Sequence, residues 1–120
     1  MTLTLVSYLF TVGDIHVWEP SNGPGKLYLG MIAAVADFFD LPTGLTDWGS
    51  GDWFLVDPIS FPALVEAMLA AFAGTSPYQF RAMLTGPLTV SLHILNRAGI
   101  DVRTHTSEER TALAELGVQA

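Results

Sequence analysis

The chain has 120 residues, five of them basic and twelve acidic, for a formal net charge of −7, and it contains no cysteine. That length fits one domain, and the cysteine-free composition excludes disulfides, thiolate metal sites and thiol catalysis. The basic residues Lys26, Arg81, Arg97, Arg103 and Arg110 are scattered, so the clustered patch that neutralises nucleic-acid phosphates or anionic lipid is missing.

Half of the residues are apolar and only 14% are charged, against a usual share of about 25%. Much of the surface must therefore be uncharged. Either the core is large for the chain, or apolar surface meets a partner or lines a pocket. The acidic balance would steer the chain towards a basic protein partner. Met1 to Phe10 is apolar but lacks the basic start of a signal peptide. No uncharged apolar run approaches the ~18 residues of a membrane span. The expectation is a cytoplasmic protein with no membrane contact.

In chain order, Thr4 to Phe10 reads as a strand. Asp14 to Trp18 reads as a second strand, with Ile15 and Val17 alternating against His16 and Trp18. Gly13-Asp14 between them suits a tight hairpin turn. Pro20 ends the second strand, and Ser21 to Gly25 leads into a helix. In that helix Tyr28, Met31, Ile32, Val35, Phe38 and Phe39 form one stripe at the 3.6 period, with Lys26, Gly30, Ala33 and Asp37 behind. Leu41-Pro42 stops it.

Residues 41–53 read as a loop, and Trp53 to Val56 as a short third strand. Asp57-Pro58 opens the second helix, with aspartate as N-cap. Its stripe is Phe61, Leu64, Val65, Met68, Leu69 and Phe72. Its back face of Ala63, Ala67, Ala70 and Ala71 would let another helix approach closely, so a homo-oligomer built there is one possibility. Ser76 to Gln79 has capping-box spacing. The third helix should reach Ala98 and stop at Gly99, with a kink or a break at Gly86-Pro87. Thr106 to Glu109 repeats the box and opens a last helix to Leu116. The fold class is α+β: an N-terminal hairpin with a third short strand near Trp53, packed on three or four helices.

The candidates for acid–base chemistry are His16 with Asp14 on one strand face, and His93 on the polar face of the third helix beside Thr89, Asn96 and Arg97. Each also has a plainer reading as a solvated polar residue, as does His105 in its turn. No metal-binding spacing, phosphate loop or nucleophile elbow is present, so no metal or cofactor is expected. Tryptophan is prominent at binding hot spots. Trp18, Trp48 and Trp53, rimmed by Asp47 and Asp52, are the candidate binding constellation. They would equally serve to close the open end of a small core.

Val17 to Gly23, Leu41 to Gly44, Val56 to Pro58 and Asn96 to Gly99 together resemble a family of small uncharacterised actinobacterial proteins sharing a conserved domain of unknown function. The resemblance spans roughly residues 8–100 and is most specific at 17–23. It departs at Trp48 to Trp53, where the family has an acidic stretch. Four arginines against one lysine, and many alanines, fit such a high-GC source. The resemblance implies no activity and no catalytic residue.

Two functions follow as expectations. The first is a non-catalytic binding protein, an accessory subunit or an immunity-like domain, taking a protein partner or a small apolar ligand. The second is a small cofactor-free acid/base enzyme, such as a cyclase, isomerase or lyase.

Overall fold

The first two strands, β1 (Leu9–Val12) and β2 (Ile15–Trp18), pair antiparallel around the Gly13-Asp14 turn, as their alternation and turn residues require. The structure, a computed structural model, describes residues 7–49, 51–74 and 77–117. The early part of the expected first strand (residues 4–6), Ser50 and Ser76 lie outside the described residues.

The pairing is not uniform. Phe10 faces Trp18, but the next residue, Thr11, faces His16, so β2 carries one extra residue at Val17. This bulge breaks the expected alternation. Val17 is fully buried and Trp18 packs against the core, while Ile15 and His16 are both exposed.

A helix, α1 (Asn22–Phe39), follows the hairpin and ends where Asp40 turns left-handed at φ 56°, just before Leu41-Pro42. The segment read as loop then holds an unexpected strand, β3 (Leu45–Asp47), which pairs antiparallel with β4 (Trp53–Val56). The Asp47 carboxylate accepts the Gly49 and Gly51 N–H groups at 2.9 and 3.1 Å, and so builds the turn between them. β4 also runs parallel to β1, with α1 in the crossover that parallel strands need. The result is a mixed four-stranded sheet in the order β2-β1-β4-β3.

The second helix, α2 (Ser60–Gly74), starts as its sequence predicts: the Asp57 carboxylate accepts both the N–H and the hydroxyl of Ser60. All six residues of its stripe are buried. Gly44, at φ +76°, lies so close that a Cβ there would meet the Phe61 backbone at 2.5 Å. Only glycine fits that approach.

The third helix, α3 (Tyr78–Ala98), stops at left-handed Gly99, whose N–H donates to the Asn96 carbonyl. It runs through Pro87 as one helix, so of the kink or break expected at Gly86-Pro87 the break does not occur. Pro87 and its neighbours Leu84 and Leu88 are buried, so packing of this stretch offsets the backbone hydrogen bond that the proline gives up. The last helix, α4 (Ser107–Gly117), opens on the Thr106 hydroxyl, which accepts the Glu109 N–H at 3.0 Å. Glu109 reaches back to the His105 N–H instead of that of Thr106. This α+β architecture closes around one core, with α3 packed on β2 and α2 packed on both α3 and α4.

Candidate functional site

The sheet sorts the residues singled out above onto two faces. Phe10 stacks on Phe54 with ring centroids 5.5 Å apart, and also meets Trp18 at 5.1 Å and Tyr28 of α1 edge-on at 6.0 Å. That face is turned to the helices and holds Trp18. Thr11, the next residue along β1, points the other way. Its hydroxyl accepts the indole N–H of Trp53 at 3.0 Å, and Trp48 lies against Trp53 at 6.1 Å. The outward face and its β3–β4 turn therefore gather Trp48, Trp53, Asp47 and Asp52, whereas Trp18 is inside.

His16 is in register with Thr11 and so lies on the outward side. Its Nδ1 is 3.5 Å from a carboxylate oxygen of Glu19, both side chains more than half exposed. The carboxylate the structure records beside His16 is thus Glu19, and Asp14 is exposed in the hairpin turn two residues before it. His93 is half-buried on α3, next to half-buried Thr89 and exposed Asn96 and Arg97 on the same side. His105 sits at the mouth of α4. Among the described residues no three His, Cys, Asp or Glu side chains come together as a metal site.

The most apolar concave surface lies elsewhere, between α1 and α3. Three contacts show that the two helices run antiparallel. The Tyr28 and Ser91 hydroxyls are hydrogen-bonded at 2.7 Å. The Met31 methyl lies where a Cβ on Gly86 would come within 3.1 Å. Phe38 meets Phe80 with centroids 5.5 Å apart. Burial pushes the Tyr28 hydroxyl well above the ordinary tyrosine range, and its bond to Ser91 only partly offsets that. The neutral phenol is thus a fixed bolt between the helices.

Beside this bolt the two helices leave a groove of about 350 Å³, lined by Met31, Ala34, Val35, Phe38 and Phe39 from α1 and by Phe80, Met83, Leu84 and Pro87 from α3. It continues past Met31 towards Leu27, Val90 and the edge of Trp18, and over the outer strip of α1 formed by Gly23, Lys26, Leu27 and Gly30. Leu27, Phe38 and Met83 are each about two-thirds exposed. The nearest α3 cation, Arg81, is turned away from the groove, its guanidinium 4.5 Å above the Phe72 ring.

Periodicity alone missed this surface because the stripe from Tyr28 to Phe39 is wider than the core needs. The core takes Tyr28, Ile32 and Ala36. Met31, Val35 and Phe38 are left on the groove side. A second signal was present in the sequence. Residues 27–36 and residues 82–96 carry no acidic or basic side chain apart from His93, so the low charge of the whole chain is concentrated on these two helices.

A bulged hairpin extended into a mixed sheet, with four helices among the described residues and an uncharged apolar seam between the first and third of them, defines a small α+β protein. The chain belongs to DUF6086, a family of unknown function, whose model matches residues 6–119. The resemblance carried by Val17 to Gly23 and Asn96 to Gly99, to a domain of unknown function, thus holds and reaches beyond the span expected for it. No curated protein and no solved structure matches the chain. Among the described residues no helix is long and apolar enough to cross a membrane.

Proposed function

We propose that this chain works by binding rather than by catalysis, and that its contact surface is the α1–α3 groove. The observation that carries this reading is the groove itself: nine apolar side chains around about 350 Å³, with Phe38 and Met83 left about two-thirds exposed at its lips. Apolar surface of that extent, on a chain with so few charges, is stabilised by being covered. The occupant is an apolar segment of a protein. The groove follows about 15 residues of α1, from Pro24 to Phe39, or roughly 22 Å at 1.5 Å per residue. That is the length of a short helix. A cytoplasmic setting belongs to the same proposal and is supported by the cysteine-free sequence.

The test is a photocrosslinking residue placed at Met83, compared with one at exposed Ala114 on α4, in extracts of the native host. Adduct formation at position 83 and not at 114 is the expected result. Equal adducts at both, or none at 83, would sink the reading.

A further inference from the structure

The groove and the outer strip of α1 have an arrangement that their apolar lining alone does not require. Lys26 is the one basic residue of α1, one turn from its start. Asp37 and Asp40 stand at its other end, with no basic residue in the last turn. The strip between them is low. Gly23 and Gly30 have open space where a Cβ would stand, and Ala33 and Ala34 are exposed. Leu27 projects near one end and Phe38 near the other, 65% and 66% exposed.

We propose that the occupant of this face is a second copy of the chain, with α1 packed antiparallel on α1 of its partner about a two-fold axis near Ala33. This rests on the reading of the groove as a contact surface and names what covers its α1 lip, where Ala34 and Phe38 belong to groove and strip alike. An isologous interface must be complementary to itself, and this strip is. The midpoint between Leu27 and Phe38 and the midpoint between Lys26 and Asp40 both fall at Ile32–Ala33. Antiparallel packing about that point sets each Phe38 against Leu27 of the other copy. It brings each Lys26 to the Asp37–Asp40 end of the other copy. The small residues Gly30, Ala33 and Ala34 come to the centre, where they let two backbones approach. The helix dipoles then also run head to tail, with the negative C-terminal end of one α1 by the positive N-terminal end of the other. A helix from an unrelated protein would need a cation at one end and an anion at the other, about 21 Å apart, to match what a second copy already supplies. The net charge of −7 opposes self-association only weakly, since charges beyond about 8 Å are screened at physiological salt.

Sedimentation equilibrium of the full chain decides the matter. Wild-type protein should have twice the 12.9 kDa chain mass, dissociating on dilution. Ala34→Glu should be monomeric, with its far-ultraviolet circular dichroism unchanged. Lys26→Glu alone opposes an acid to acids. Asp37→Lys combined with Asp40→Asn opposes a cation to a cation, asparagine being suited to the left-handed site at position 40. Each variant should dimerise at least about tenfold more weakly than wild type, the loss expected of two exposed ion pairs per dimer turned repulsive. An equimolar mixture of the two should regain the dimer mass, because every facing pair is then opposite in sign. A wild type that stays monomeric at all concentrations overturns the proposal, as does a mixture no tighter than its components. The crosslink at Met83 separates this failure from that of the groove reading. An adduct with a different protein would leave the groove a binding surface and remove the second copy from it, whereas no adduct at all would remove both.

Discussion

α1 and α2 carry the same kind of apolar stripe, six residues at helical spacing, yet the protein uses them differently. In α2 all of Phe61, Leu64, Val65, Met68, Leu69 and Phe72 are buried, because α3 and α4 pack against it and the Gly44 loop presses on its first turn. In α1 the core takes only part of the stripe, and Phe38 is left 66% exposed. Periodicity says which side of a helix is apolar. It does not say how much of that side the rest of the chain can cover. The difference between demand and cover is where a partner surface can arise.

The largest expected effect tests the covered helix. Leu69 is fully buried in α2, and Leu69→Ala should cost about 2–5 kcal/mol of unfolding free energy in urea titration, as cavity-forming deletions do. A loss below about 1 kcal/mol would mean that α2 is not the centre of the core, and the contrast with α1 would lose its basis.

Next comes the bolt that holds the groove's two walls. Tyr28→Phe removes one partner of the buried Tyr28–Ser91 pair and strands the Ser91 hydroxyl. The expected cost is about 1–2 kcal/mol. Adding Ser91→Ala removes the stranded group as well, so the double variant should be less destabilised than the two single losses summed. Strict additivity would show that the hydroxyls do not act as a pair.

A smaller effect concerns the start of α2 and depends on pH. The hydrogen bonds from Ser60 hold the Asp57 carboxyl below the ordinary carboxylate range. A carboxylate with a lowered native pKa contributes stability that is fully present above its unfolded pKa. That contribution is lost as pH falls through the native value. The stability gap between wild type and Asp57→Ala should therefore be constant near neutral pH and shrink on acidification below the carboxylate range. A gap that persists in strong acid would show that the cap does not act through its charge.

Much of this fold was legible in the sequence where one local rule acted alone. The Gly13-Asp14 turn, the Asp57 cap, the Gly99 stop and the Thr106–Glu109 box each rest on residues within a few positions of one another. The misreadings came where two rules met. At Val17 a bulge overrode alternation, and nothing in Ile15-His16-Val17-Trp18 announces an extra residue. At Pro87 the helix continues where a kink or a break was expected, because the residues around it are buried in the core. β3 was hidden because Leu45-Thr46-Asp47 is short, lies among glycines and owes its place to pairing with β4. The candidate constellation divided because Trp18 faces α1 while Trp48 and Trp53 hang on the outward face with Thr11. The groove was legible only as an absence of charge over 27–36 and 82–96, which periodicity does not weigh.

The smallest expected effect is the sharpest test of the contrast between the two helices. Leu27 and Met83 are large apolar side chains, 65% and 67% exposed. If that surface is open in the isolated chain, Leu27→Ala and Met83→Ala should each change the unfolding free energy by no more than about 0.5 kcal/mol. Alanine is also the better helix former, which offsets part of any loss at position 27. The same substitutions should weaken whatever the face holds, since they remove apolar area that only the bound state buries. Urea midpoints and association constants measured on one set of samples would place the two effects side by side. A destabilisation of about 2 kcal/mol or more would mean that these side chains belong to the core, that the groove is closed, and that α1 is covered as fully as α2.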